Sequence, residues 1–274
     1  MEYYSALIDE LLANGIEPMV TLYHWDLPQA LQDLGGMVNE TIFIDRFAAY
    51  SRLMFGNFGD RVKLWLTFNE PWVICYQGYG NGASAPAIVD PATGPYRCAH
   101  SLLKAHAQAY RIYESEFKTV QKGKVGITLD SNYYTPDKPG VPEYEEATER
   151  ARIFKHGWLA EPVFYGKYPD LMREIVDRKS AQEGREESRL PSFNEEWSRK
   201  LKGSYDFLGL NHYTTEIVIP QSNGGQGWFE DQDIVTYQDP DWPSSGTSWL
   251  KVVPWGFRKL LNWIKDTYDN PEVL

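Results

Sequence analysis

The carboxylate most able to do chemistry in this chain is Glu70. In Thr67-Phe68-Asn69-Glu70-Pro71 it follows the strand-like run Val62 to Phe68 after the single residue Asn69 and is fixed by Pro71. It is therefore poorly placed for solvation, the setting that favours the proton-carrying form of a carboxyl group and suits it to general acid and base work. Three other apolar runs end in similar company. His24, Trp25 and Asp26 follow the first, Asp130, Asn132 and Tyr133 the third, and Asn211, His212 and Tyr213 the fourth. Hydroxyl-rich ligands need this pairing, because each hydroxyl wants a donor or acceptor while a sugar face wants a flat apolar partner. A carbohydrate site is the first functional expectation. Each group also has a plain structural reading, since a buried Asn or His at a strand end often only ties down a loop backbone.

The elements that must position these groups follow from periodicity. Short β-type runs alternate with amphipathic helical stretches, the pattern of parallel strands with covering helices, so the fold class is α/β. Helices are expected at about Ser5 to Asn14, with Leu7, Ile8, Leu11 and Leu12 on one face, and at Ile44 to Phe58, His100 to Phe117, Tyr144 to Leu159 and Gly256 to Thr267. Strands are expected at Ile16 to Tyr23, Val62 to Phe68, Val125 to Leu129 and Tyr205 to Asn211. Residues 178 to 200, dense in alternating charges, read as a solvated surface excursion. In such folds the working residues sit at the C-terminal ends of strands, where the polar groups named above fall.

Composition narrows the classes. Of 274 residues, 27 Lys and Arg stand against 38 Asp and Glu, a net charge of −11, which argues against nucleic acid as a partner. No apolar run approaches the roughly 18 residues of a membrane span, and Met1-Glu2-Tyr3-Tyr4 lacks the order of a signal peptide. Two cysteines, Cys75 and Cys98, lack a Cys-x-x-Cys spacing and are expected to be free thiols, with no histidine placed by sequence to activate Cys75. The five histidines form no i, i+4 pair, so no metal is expected, and His106 is expected to pack on its helix with Leu102 and Tyr110. Asn39-Glu40-Thr41 fits a glycosylation sequon.

Thr67-Phe68-Asn69-Glu70-Pro71, Leu22-Tyr23-His24-Trp25-Asp26-Leu27-Pro28 and Asp206-Phe207-Leu208-Gly209-Leu210-Asn211-His212-Tyr213-Thr214 resemble three signature segments of glycoside hydrolase family 1, the β-glucosidases, with wording nearest to arthropod members. The similarity runs the length of the chain and includes Arg189-Leu190-Pro191-Ser192-Phe193. The resemblance implies a (β/α)8 TIM barrel, a single glycosyl hydrolase domain over residues 1–274, and retaining hydrolysis of β-glucosides or β-linked oligosaccharides without metal or cofactor. It makes Glu70 the acid/base and Asn69 the partner of the sugar 2-hydroxyl, with His24 and Trp25 gripping the glycone. Tyr213 matches the tyrosine that touches the nucleophile, Asn211 supports that network, and Trp249 matches an aromatic platform for the leaving group. Loops around residues 77 to 96 and 221 to 248 would set preference.

Retaining chemistry needs a second carboxylate about 5 to 5.5 Å from the first. The family's nucleophile lies in an Ile-Thr-Glu-Asn-Gly segment that would follow Asp269-Asn270-Pro271-Glu272-Val273-Leu274, and Glu272 itself reads as a solvated carboxylate ahead of that strand. The resemblance therefore implies strands three to six of eight, a domain short at both ends, no nucleophile in the chain, and self-association through two open sheet edges. A thioglucosidase is the alternative enzyme and a non-catalytic, receptor-like sugar binder the alternative outside enzymology. By resemblance the parent protein would be secreted.

Overall fold

The computed structural model describes residues 1–222 and 224–274; Asn223, inside the 221 to 248 loop, lies outside them. In chain order the elements are α1 (Glu2–Ala13), β1 (Met19–Tyr23), α2 (Gln29–Gln32), α3 (Glu40–Phe58), β2 (Leu64–Asn69), α4 (Gly94–Ile112), α5 (Lys118–Gln121), β3 (Lys124–Asp130) and β4 (Tyr133–Pro136). Then come α6 (Pro142–Arg152), α7 (Trp158–Tyr165), α8 (Asp170–Gln182), α9 (Glu195–Leu201), β5 (Phe207–Asn211), β6 (Thr215–Pro220), α10 (Trp228–Asp231), β7 (Ile234–Tyr237) and α11 (Pro254–Thr267).

The four expected runs form one parallel sheet in the order β1-β2-β3-β5. β3 is buried along all but its first residue, as a parallel strand covered on both faces should be. Its register with β5 sets Gly126 against Phe207 and Asp130 against Asn211. A Cβ on Gly126 would lie 2.5 Å from the Phe207 carbonyl oxygen, so only glycine permits that approach. Against the sheet, α3 buries Phe43, Ile44, Phe47, Phe55 and Phe58, with Phe47 stacked 4.3 Å from Phe68 of β2. α4 is buried on nearly every side. α1, by contrast, buries only Ile8 and leaves Leu7 and Leu12 exposed, and the neighbouring β1 is a half-exposed edge.

The other edge is partly covered. Leu208 and Leu210 of β5 donate backbone bonds to the Glu272 and Leu274 carbonyls, Leu274 donates back to Leu208, and Val273 bridges Leu208 in parallel. The expectation of two fully open edges is corrected to that extent.

Four further expectations are corrected. Cys75 and Cys98 are joined in a buried disulfide rather than free, because a π-turn over Val73–Gln77 and the first turns of α4 bring two residues 23 apart in sequence to a Cα separation of 5.4 Å. Residues 178 to 200 are not wholly a surface excursion: they contain the end of α8 and most of α9, and they bury Ser180, Arg189 and Leu190. The helices expected at His100 to Phe117 and Tyr144 to Leu159 are each longer and interrupted by one π-turn, at Tyr113–Phe117 and Ile153–Gly157. His106 does more than pack on its helix: Thr67 Oγ1 donates to its Nδ1 and its Nε2 donates to the Ser204 carbonyl, both at 2.7 Å, tying α4 to β2.

A second sheet was not legible. β4 pairs in parallel with β6, which pairs antiparallel with β7. With α6 these strands enclose a small core of Tyr134, Ala147, Ala151, Val218 and Ile234. β4 and β7 are four residues each, and β4 and β6 both end in proline, too short and irregular to show a period of two.

Candidate active site

Because β2, β3 and β5 run in parallel, with one shift in the β2–β3 register between Leu66 and Asn69, their C-terminal ends lie side by side and the groups that follow them meet there. Glu70 is the first residue past β2, with φ of +54°, a left-handed conformation that costs a residue with a Cβ and turns the chain sharply off the strand. Its backbone N–H donates to Thr128 of β3 at 2.9 Å, so the sheet itself holds the turn. The side chain is buried, and Oε1 accepts from Asn211 Nδ2 at 2.5 Å and from the Tyr213 hydroxyl at 2.6 Å.

The network continues through Asn69. Asn211 Nδ2 also donates to Asn69 Oδ1 at 3.2 Å, Asn69 Nδ2 donates to His24 Nε2 at 3.3 Å, and the Trp25 indole N–H donates to the Asn69 carbonyl at 2.9 Å. The ends of β1, β2 and β5 are thereby laced together, and Trp25, with φ of +74°, is half-exposed beside them. Burial and the hydrogen bond to Glu70 both push the Tyr213 phenol above its ordinary range, so it remains a donor. Here the tyrosine expected to touch a nucleophile touches Glu70. Trp249 meets Tyr213 edge-on at 5.7 Å.

All of this opens into one cavity of about 560 Å³ lined by Trp25, Glu70, Tyr213 and Trp249, by Trp72, Tyr76 and Trp228, and by the polar residues Asp130, Asn132, Lys155, Glu216 and Gln232. Trp72 stacks on Tyr76 at 5.1 Å, and Trp228 closes on both. The aromatic and hydroxyl-binding groups foreseen at the strand ends do converge. Two of them serve packing instead: His212 Nδ1 donates to the Ser131 carbonyl at 2.9 Å with its ring on Phe257, and Tyr133 faces Trp255 and Arg152.

The site residue that sequence reasoning missed is Lys155. It is buried in the π-turn after α6, paired with Asp130, with its ammonium 3.1 Å from the centre of the Trp72 ring. Burial pulls its pKa down against the opposing pull of Asp130. Lys155 sits between Phe154 and His156 in a charged segment, so no local signal set it apart. Trp228 was missed as well; the loop carrying it is pinned from behind, where Arg189 makes a bidentate, fully buried pair with Asp231 at 2.6 Å for each bond and Tyr96 donates to the same carboxylate at 2.5 Å.

Among the described residues no group of three or more His, Cys, Asp or Glu is arranged to hold a metal, and no helix is long and apolar enough to cross a membrane. Glu272 is exposed and paired with Lys124 at 2.6 Å, at the start of β3. Its backbone is bonded to Leu208, which pairs with Ile127, whereas Glu70 is bonded to Thr128 nearer the far end of β3, and with its side chain held at Lys124 Glu272 does not face Glu70. Of the other cavity carboxylates, Asp130 is engaged by Lys155 and Glu216 accepts from Gln238 Nε2 at 3.0 Å.

Comparison with known proteins gives a consistent set of relatives. The family model described as glycosyl hydrolase family 1 matches residues 1–274. Human lactase/phlorizin hydrolase is 44% identical over all of this chain, which spans 14% of that protein. The structure of an aphid myrosinase superimposes with a TM-score of 0.94 at 44% identity, covering 99% of this chain and 59% of that one. A β-glucosidase from the fungus Humicola insolens, solved in complex with glucose, gives 0.91 at 36% identity, with 99% and 58% covered. The chain thus spans less than two thirds of each of these relatives.

Proposed function

We propose, from the premise that this chain belongs to glycosyl hydrolase family 1, that it supplies the acid/base half of a retaining β-glycosidase acting on O-linked β-glucosides. The observation that carries the reading is the environment of Glu70. A buried carboxyl whose Oε1 accepts two hydrogen bonds leaves Oε2 to carry the proton, give it to the glycosidic oxygen as that bond breaks, and take one from water in the second step. In this reading Asn69 meets the sugar 2-hydroxyl, His24 and Trp25 hold the glycone, Asn211 and Tyr213 fix the acid, and Trp249 forms a platform for the leaving group.

The attacking carboxylate, on this proposal, comes from polypeptide other than residues 1–274, and β1, β2, β3 and β5 are the third to sixth strands of an eight-stranded barrel. The half-exposed β1 and the parallel pairing beyond β5 support that placement. The Cys75–Cys98 disulfide supports an oxidising, secreted setting for the parent protein. The likeness to an aphid myrosinase favours a second reading, thioglucoside hydrolysis, while Glu70 favours O-glycosides, whose poorer leaving groups need a proton.

The test is to assay residues 1–274 on an aryl β-O-glucoside and its S-linked counterpart, alone and mixed with the flanking pieces of a relative. The expected result is turnover of the O-glucoside only in the mixture, lost in Glu70→Gln by about 10²- to 10⁴-fold. Turnover by the lone chain would refute the missing nucleophile, and preference for the S-glucoside would favour the second reading.

A further inference from the structure

Resting on the glycosidase reading above, we propose that the leaving-group side of this cavity excludes anionic aglycones and accepts neutral, flat ones, with Glu216 as the residue that enforces the choice. Lys155 is the only cationic side chain among the described residues that line the cavity. Its ammonium is already engaged on two sides, by Asp130 and by the Trp72 ring at 3.1 Å, and its side chain is 7% exposed. At contact range the pair is close to neutral, so it offers no free positive charge to a sulfate, phosphate or carboxylate.

Apart from Glu70 and the Lys155–Asp130 pair, the one charged side chain among the described residues lining the cavity is Glu216, beside the neutral Asn132 and Gln232. It projects from β6 into the cavity, half-buried, and its side-chain donors, the amide of Gln238 and the hydroxyl of Thr236, are both neutral. An anion on the leaving group would be brought beside this carboxylate in a poorly solvated space without a counter-ion, which is how like charge rejects a ligand. A neutral ring meets no such cost and finds the indoles of Trp72, Trp228 and Trp249. Glu216 is a specificity residue here, not a catalytic one.

The experiment measures binding of phenyl β-glucoside and 4-carboxyphenyl β-glucoside to the 274-residue chain by calorimetry at pH 7. The neutral compound is expected to bind at least about tenfold more tightly, a difference of about 1.4 kcal/mol. Glu216→Gln should narrow the gap to less than about threefold and Glu216→Lys should invert it. Equal affinities for the unsubstituted chain, or a gap unchanged by both substitutions, would overturn the inference while leaving the glycosidase reading standing. Binding of neither compound would overturn the inference, while the glycosidase reading is decided separately by turnover in the complemented mixture.

Discussion

Tyr213 and Asn211 both donate to the same oxygen of Glu70, so the two can be separated by substitution. A hydrogen bond of this kind contributes about 1 kcal/mol. Tyr213→Phe should therefore lower kcat on an aryl β-glucoside by about five- to tenfold in the flank-complemented protein. Asn211→Ala should cost more, because Asn211 also holds Asn69. A Tyr213→Phe variant with unchanged kcat would separate the tyrosine from the acid. At this scale the sequence was informative wherever chemistry followed a strand: Asn69, Glu70, Asn211, Tyr213, His24 and Trp25 all meet within one hydrogen-bonded chain. It was uninformative where a group's partners lie far along the chain. His106 bonds residues 39 and 98 positions away, and Lys155 finds Asp130 25 positions back. No local pattern encodes such pairs.

Between elements, the loop bearing Trp228 depends on the Arg189–Asp231 pair, both of whose side chains are fully buried. Removing one partner strands a charge in the interior, so Arg189→Met should destabilise the fold by about 3–5 kcal/mol, read as a fall in the urea midpoint. Replacing both, as Arg189→Met with Asp231→Leu, should recover much of that loss. The Cys75–Cys98 bond ties the turn after Glu70 to α4 across 23 residues, and reducing it should cost about 3 kcal/mol, measured by unfolding with and without dithiothreitol. Neither link was legible, since spacing does not say whether two cysteines approach and a charged segment reads as solvated until its partner is seen. The parallel sheet was legible because β1, β2, β3 and β5 are long enough and apolar enough to carry a pattern, whereas β4 and β7 are not.

For the whole molecule, burial pulls the pKa of His100 and His156 down to about 3 and that of His106 to about 4. Each is neutral in the fold and takes up a proton on unfolding below its ordinary value near 6.5, so its share of stability is present above that pH and is lost as pH falls. Glu161 acts in the opposite sense, raised by burial to about 7, and strengthens the fold as pH falls towards its unfolded value. Three histidines outweigh one glutamate, and stability should fall by about 2 kcal/mol per pH unit around pH 5.5, visible in a series of thermal melts. Flat stability between pH 6.5 and 5 would contradict this. The exposed face of α1 and the half-exposed β1 should make isolated residues 1–274 bind a hydrophobic dye and elute larger than a compact monomer. Cooperative unfolding with clean monomeric elution would count against it.

The short pairing of Val273 with Leu208 also sets a vertical scale for polypeptide joined after Leu274. Kept in step with β5, whose Leu208 precedes Asn211 by three residues, the second added residue would draw level with Asn211 and the third would clear the rim of the sheet. A carboxylate at whichever of these two heights faces inward would overlook the cavity, and the curl of the completed sheet would carry it round towards Glu70. Inserting or deleting a single residue at that junction would turn it to the opposite side of the strand, facing the helices rather than the sugar.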